Sequence, residues 1–145
     1  MKIGIGNDTK GLENKLHLVN VLRDTGFTVE DVGCHSLDPV DYADFAKRVA
    51  DGVVSGEFDF GILICGTGNG MAMAANKIRG IRAAICMDTF SAIMSREHND
   101  ANILCMGGWM IRPEKAAVVA MQWLDMRFAG GIHSEKVNKV MALES

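Results

Sequence analysis

Short apolar runs alternate along this chain with longer stretches in which apolar residues recur every three or four positions. KIGIG (2–6), FTVEDVG (27–33), FGILIC (60–65), RAAIC (82–86) and NILCM (102–106) are the short runs and read as strands. FGILIC is apolar throughout, the pattern of a central parallel strand buried on both faces. Between the strands, Leu12, Leu16, Val19 and Leu22 recur at helical spacing and stop before Gly26. Phe45, Ala46, Val49 and Val53 give a second helical face, starting at Tyr42 and ending near Gly56. Met71, Ala74 and Ala75 give a third, and SAIMSREH (91–98) a fourth. Ala116, Val119, Ala120 and Trp123 give a fifth after Pro113, a residue suited to a first helical turn. The tail from Ser134 predicts a C-terminal helix. Strands alternating with helices predict an α/β fold: a three-layer αβα sandwich around a five-stranded, parallel, doubly wound (Rossmann-like) sheet, with 1–145 as one domain.

Composition narrows the function classes. The chain has 145 residues and a formal net charge of -3, with no run of Lys or Arg. That balance gives no footprint for nucleic acid. No apolar stretch is long enough for a membrane span, and Met1 is not followed by a signal-peptide pattern. Cys34, Cys65, Cys86 and Cys105 form no C-x-x-C pair, and the four His show no i, i+4 pairing. These spacings argue against a metal site or a disulfide scaffold and for a reduced, cytoplasmic protein.

In doubly wound sheets, ligands bind beyond the carboxyl ends of the strands. That rule selects Gly6-Asn7-Asp8-Thr9, Gly33-Cys34-His35, the stretch from Cys65 to Gly70, Met87-Asp88 and Gly107-Gly108. The most informative is CGTGNG (65–70), which admits three readings. A dinucleotide loop fits poorly, because Met71 stands where the third glycine of G-x-G-x-x-G is needed, although Asp88 lies where a ribose-binding acid would sit. A Walker loop is excluded, since no G-K-[ST] follows. In the second reading Gly66, Gly68, Asn69 and Gly70 form a backbone cradle for an oxyanion at a helix N-terminus, beside a reactive Cys65. In the third, the glycines make only a tight turn and Cys65 is buried filler.

Further along, REHNDAN (96–102) concentrates His98, Asn99, Asp100 and Asn102 between a helix and a strand. Such residues cap helices, yet a His that titrates near neutrality also serves in proton transfer to a sugar ring oxygen. Asp8 reads either as an N-cap or as a group facing the cleft, and Tyr42 as a partly buried amphipathic side chain.

ILICGTGNGMAMAANK (62–77), GIRAAIC (80–86), SREHNDAN (95–102) and FAGGIH (128–133) together resemble the ribose-5-phosphate isomerase B / galactose-6-phosphate isomerase family, over almost the whole chain. The resemblance implies a five-stranded αβα sandwich and an aldose–ketose isomerase that needs neither metal nor cofactor. It implies that Cys65 is the base moving a proton between C1 and C2. Gly66 to Gly70, with Thr67, would then surround the enediolate oxygen. It implies ring opening by His98, with Asp8 and Tyr42 around the ring and Asn99 on a sugar hydroxyl. It also implies a site completed across a homodimer, with His98 coming from the partner chain, and a dimer able to pair further into a tetramer.

The sequence departs from the family pattern at the phosphate. Thr9 replaces a His and Trp109 an Arg. Gly-Gly-Arg-His-x-x-Arg becomes Gly130-Gly131-Ile132-His133-Ser134-Glu135-Lys136. Lys offers a point charge where Arg offers a bidentate fork. The expected consequences are a substrate shifted from ribose 5-phosphate, either unphosphorylated or of different length, with Lys10, Arg96, Arg112 or Lys136 as substitute cations. Trp109, His133 and Lys136 are then substrate contacts. The alternative is a non-catalytic subunit that binds a sugar or sugar phosphate.

Overall fold

A computed structural model describes residues 1–144. Five parallel strands run in the order β2-β1-β3-β5-β4: β1 (Lys2–Asn7), β2 (Thr28–Asp31), β3 (Phe60–Cys65), β4 (Ala83–Ile85) and β5 (Ile103–Gly107). Six α-helices join and follow them: α1 (Leu12–Asp24), α2 (Tyr42–Ser55), α3 (Asn69–Asn76), α4 (Thr89–Glu97), α5 (Pro113–Asp125) and α6 (Ile132–Met141). The doubly wound sandwich expected from the alternation is present. β3 is central, and Ile62, Leu63 and Ile64 are fully buried.

Alternate β3 residues feed two cores, as the two-residue side-chain period of a strand requires. Ile62 and Ile64 join Leu18, Leu22, Leu104 and Trp123 on the face covered by α1, α4 and α5. Leu63 and Cys65 join Val49, Met71 and Cys105 on the face covered by α2 and α3. Helix α2 stops where Gly56 takes φ 83°, a left-handed conformation that suits glycine at a helix end.

Some boundaries differ from the sequence reading. β2 is shorter than FTVEDVG, β4 is shorter than RAAIC, α4 begins at Thr89, and α6 begins at Ile132 rather than Ser134. A short 3-10 turn, Thr9–Gly11, precedes α1. The buried face of α1 also differs: Leu16 is 49% exposed, while Asn14 and Lys15 are buried. Both polar groups find distant partners. Asn14 Nδ2 donates to Ile111 O at 2.9 Å, and Lys15 Nζ meets Asp31 at 2.9 Å and Cys34 O at 2.8 Å. Hydrophobic spacing cannot foresee a lysine that turns inward because a carboxylate waits there. Among the described residues no helix is long and apolar enough to cross a membrane.

Candidate active site

The glycines of the β3–α3 loop each answer to a different constraint. Gly66 lies under the Trp109 indole, where an added Cβ would come 2.9 Å from Cε3. Gly68 takes φ 86° and sits at the N-cap of α3. Gly70 lies against the Tyr42 ring, where a Cβ would come 2.5 Å from Cε1. Two exposed aromatic rings thus flank one bare stretch of backbone.

Cys65 ends β3 at the base of this stretch and is 4% exposed. Its Sγ accepts the Gly68 N–H at 3.2 Å, and its carbonyl accepts the Gly108 N–H at 2.6 Å. Thr67 Oγ1 accepts the Asn69 N–H at 3.2 Å. Two amides assigned from sequence to the oxyanion cradle, Gly68 and Asn69, are therefore engaged locally. The N–H groups of a first helical turn have no partner within the helix, and Gly70 belongs to that turn of α3.

Asp8 is buried beside the β3 loop, its N–H donating to Ile64 O at 3.2 Å. Oδ1 accepts the Lys10 N–H at 3.0 Å, so Asp8 caps the 3-10 turn rather than α1 and also sits in the strand-end cleft. Behind it, Asn7 Nδ2 donates to Asp8 O at 2.8 Å and to Cys34 Sγ at 3.3 Å. Asp88 is an N-cap: its carboxylate accepts the Ser91 N–H at 2.7 Å, and that bond holds its pKa below the ordinary carboxylate value.

The other thiols differ from Cys65 in setting. Burial raises the pKa of Cys105 and of Cys86. A raised pKa means less thiolate at a given pH, and the thiolate is the form that reacts. Brief iodoacetamide treatment of the folded protein near pH 8, read by peptide mass spectrometry, should therefore label Cys105 and Cys86 at least about tenfold more slowly than the same cysteines in the unfolded chain. Equal labelling of these two in folded and unfolded protein would contradict that effect of burial.

His98 lies elsewhere. All strands are parallel, so α4 runs back from the carboxyl end of β4, and the 98–102 connection returns to the amino ends of the strands. Asn102 confirms this position: its carbonyl accepts the Gly61 N–H at 3.1 Å and its Oδ1 the Arg82 N–H at 2.8 Å. β3 has six residues at about 3.3 Å each, which puts Cys65 and His98 of one chain on the order of 15 Å apart along the strand direction. The His98 ring stacks on His133, with centroids 4.1 Å apart and planes 12° from parallel. These two residues, Asn99, Lys136 and Arg82 line a cavity of about 340 Å³ walled by Val137 and Val140.

The residues singled out from sequence thus fall into two groups. Asp8, Tyr42, Thr67, the Gly66–Gly70 loop and Trp109 gather round Cys65 at the carboxyl end of the sheet. Asn99, His133 and Lys136 gather round His98 at the amino end. Arg82 belongs with the second group and was missed, because nothing in GIRAAIC tells a strand's first residue from a cavity wall. Arg96 is the reverse case. Expected as a substitute phosphate ligand, it is buried against Phe60 and Trp123, with its guanidinium carbon 4.5 Å and 5.4 Å from the ring centroids. It donates to Ala101 O at 2.6 Å and Asp100 Oδ1 at 3.1 Å, so it braces the 98–102 turn instead. Asp100 adopts φ 50° there, a left-handed conformation that Asp tolerates better than most residues. Lys10 is exposed on the turn after β1, and Arg112 lines a separate groove beside Trp109. Among the described residues, no three His, Cys, Asp or Glu side chains converge to hold a metal ion.

A five-stranded parallel sheet covered by helices on both faces, with a thiol, a glycine loop and a hydroxyl at the end of its central strand, defines a three-layer α/β protein. The ribose/galactose isomerase family model matches residues 3–140. Ribose-5-phosphate isomerase B of Escherichia coli is 42% identical over 143 residues, covering 99% of this chain and 96% of that protein. D-erythrulose-4-phosphate isomerase of Pectobacterium atrosepticum is 40% identical, covering 97% and 93%. The solved structure of ribose-5-phosphate isomerase B from Clostridium thermocellum superposes with a TM-score of 0.98 at 47% identity, covering 99% and 97%. The chain belongs to the ribose/galactose isomerase family and is an aldose–ketose isomerase by class.

Proposed function

We propose that this protein interconverts an aldose phosphate and a ketose phosphate through an enediolate, with Cys65 as the base and His98 of a second copy as the ring-opening group. The observation that carries the reading is the separation of the two groups. The strand-end thiol and the histidine occupy opposite ends of one sheet, so one chain holds two half-sites rather than one whole one. A symmetric pair of chains can set the Cys65 end of each against the His98 end of the other, completing two sites. The dimer could in turn pair into a tetramer.

The chemistry follows from the residues. His98 gives a proton to the ring oxygen and takes back the proton leaving O1, so the ring opens to the aldehyde with no net change at the histidine. The Cys65 thiolate then removes the proton from C2 of the open-chain aldose. The electron pair moves into a C1–C2 double bond, and negative charge develops on O1. In this reading the Gly70 amide of the first turn of α3 and the Thr67 hydroxyl donate to that oxygen, an effect worth about 3–4 kcal/mol per donor in comparable sites. Cys65 returns the proton to C1, the O2 proton moves to O1, and the ketose results. Tyr42 and Trp109 wall the cleft on either side of the glycine loop, while Asp8 and Asn99 contact hydroxyls.

The substrate is shifted from ribose 5-phosphate. Trp109, 69% exposed and resting on Gly66, puts an indole where the family pattern has a cation. Ile132, 68% exposed, puts an alkyl chain in such a position at the start of α6. Two relatives of nearly equal identity carry the names of a five-carbon and a four-carbon substrate, so chain length varies within the family. The test compares kcat/KM on ribose 5-phosphate with that on ribose and on other sugars and their phosphates. Trp109→Arg with Ile132→Arg should raise kcat/KM for ribose 5-phosphate by about 10-fold or more, since each charged hydrogen bond is worth about 1.5–3 kcal/mol. If the unmodified protein already prefers ribose 5-phosphate over every other sugar tested, the specificity shift is wrong. If no sugar is isomerised, the enzymatic reading itself falls and a binding subunit is left.

A further inference from the structure

We propose that this protein has a second ligand site at the amino end of the sheet: a groove in which the free edge of the Arg96 guanidinium receives the carboxylate of a small apolar monocarboxylic acid. The site is independent of the isomerase reading above.

Unused donors are the first argument. Only 8% of the Arg96 side chain is exposed. Both of its hydrogen bonds, to Ala101 O at 2.6 Å and to Asp100 Oδ1 at 3.1 Å, leave from Nη1. Nε is buried and has no acceptor among the described residues. The Phe60 and Trp123 rings attract the cation, but an aromatic face is a poorer acceptor for N–H than oxygen is. Nε and Nη2 form one edge of the guanidinium, whose parallel N–H groups match the two oxygens of a carboxylate. The bonds from Nη1 and the two rings hold that edge in place. Donors already fixed spare a ligand the entropy of ordering them.

Charge is the second argument. Asp100, the acid that Arg96 meets at 3.1 Å, also lies 3.4 Å from Arg82. One carboxylate between two guanidiniums leaves a positive charge uncompensated. The groove wall adds one cation, Arg127, and one anion, Asp125. The carboxyl end of α5 borders it too and carries partial negative charge. A ligand with one negative charge is balanced there and a dianion is not, which selects a monocarboxylate over a dicarboxylate or a phosphate.

Shape is the third. The groove has a volume of about 540 Å³, within the range of small-ligand pockets. Phe27, Phe60, Met121 and Met126 supply apolar wall. Methionine side chains adapt to the outline of what they touch. No residue of this groove lines the cavity beside His98. Phe60 opens β3 and Cys65 closes it, so the groove lies at the other end of the central strand from the thiol.

Hexanoate is the probe for this site, and hexanamide its neutral counterpart. Titrated into the full chain, hexanoate should move the NMR signal of the Arg96 Nε–H saturably downfield, with a Kd of about 1 mM. Hexanamide lacks the charge-assisted pair and should bind at least about 10-fold more weakly. Adipate, which adds a second charge, should also bind more weakly than hexanoate. Asp125→Asn removes the opposing carboxylate and should tighten hexanoate binding by about two- to fivefold. Arg96→Lys keeps the charge and loses the fork, so calorimetry should show about tenfold weaker binding. If Arg96→Lys does not fold, Met121→Trp carries the test: it leaves Arg96 in place, fills the groove and should weaken hexanoate at least about 10-fold. No saturable movement of the Arg96 signal by about 10 mM hexanoate would overturn the proposal, as would hexanamide binding within about twofold of hexanoate. An undiminished response in Met121→Trp would place the acid elsewhere and overturn it equally.

Discussion

Cys65→Ala should lower kcat by about 10²- to 10⁴-fold on every substrate the enzyme accepts, the range a positioned general base contributes. The substitution deletes one sulfur from a residue packed among Met71, Cys105 and their neighbours. It also removes the acceptor of the Gly68 N–H. Loss of a group this small should cost about 1 kcal/mol, or a Tm decrease of about 2–4 °C at this chain length. The two readouts separate chemistry from packing. A variant that melts close to wild type and no longer exchanges the C2 proton with solvent deuterium identifies Cys65 as the base. A variant with full turnover excludes it, and the buried-filler reading of that cysteine then stands.

Mixing Cys65→Ala protein with His98→Asn protein should restore activity that neither shows alone. In a heterodimer, the intact Cys65 of one chain meets the intact His98 of the other at one site, while the second site carries both changes. Free exchange of equal amounts makes about half of the dimers mixed, and each of these has one working site in two, so recovery should approach about a quarter of wild type. The substrate for this assay should be cyclic, because an open-chain sugar bypasses the step given to His98. Recovery depends on geometry alone. If Cys65 and His98 of the same chain served one site, each chain in the mixture would still lack one group, and activity would remain at the level of the single variants after exchange had been verified by mass.

Much of the fold was legible locally. FGILIC could only be the central strand, because a run apolar at every position needs cover on both faces, and both faces of β3 are covered. The helical face Ala116, Val119, Ala120 and Trp123 is buried at each position. The reason is that strand and helix periodicities record which side of an element leaves water, and that is written within a dozen residues. The glycine loop was half legible. Its spacing marked a backbone that some neighbour must approach closely, but it did not name the neighbours as Trp109 and Tyr42. Those rings come from 43 and 28 residues away, counted from Gly66 to Trp109 and from Tyr42 to Gly70.

The amino-acid sequence therefore specified the order and type of the elements, the strand-end cysteine, the His98 cluster, and the departures from a phosphate-binding pattern. Tertiary structure alone decided how these residues are grouped. It placed His98 at the opposite end of the sheet from Cys65, because a helix joining parallel strands must run back along them. It buried Arg96 against Phe60 and Trp123 and set Arg82 in the wall of the cavity beside His98. It turned Lys15 inward and left Leu16 outside, because a carboxylate at the end of β2 compensates the buried charge. In each case the deciding partner lies on another element. The energy of a buried charge or of a closely packed ring is set by what stands opposite it, and no local period of hydrophobicity carries that information.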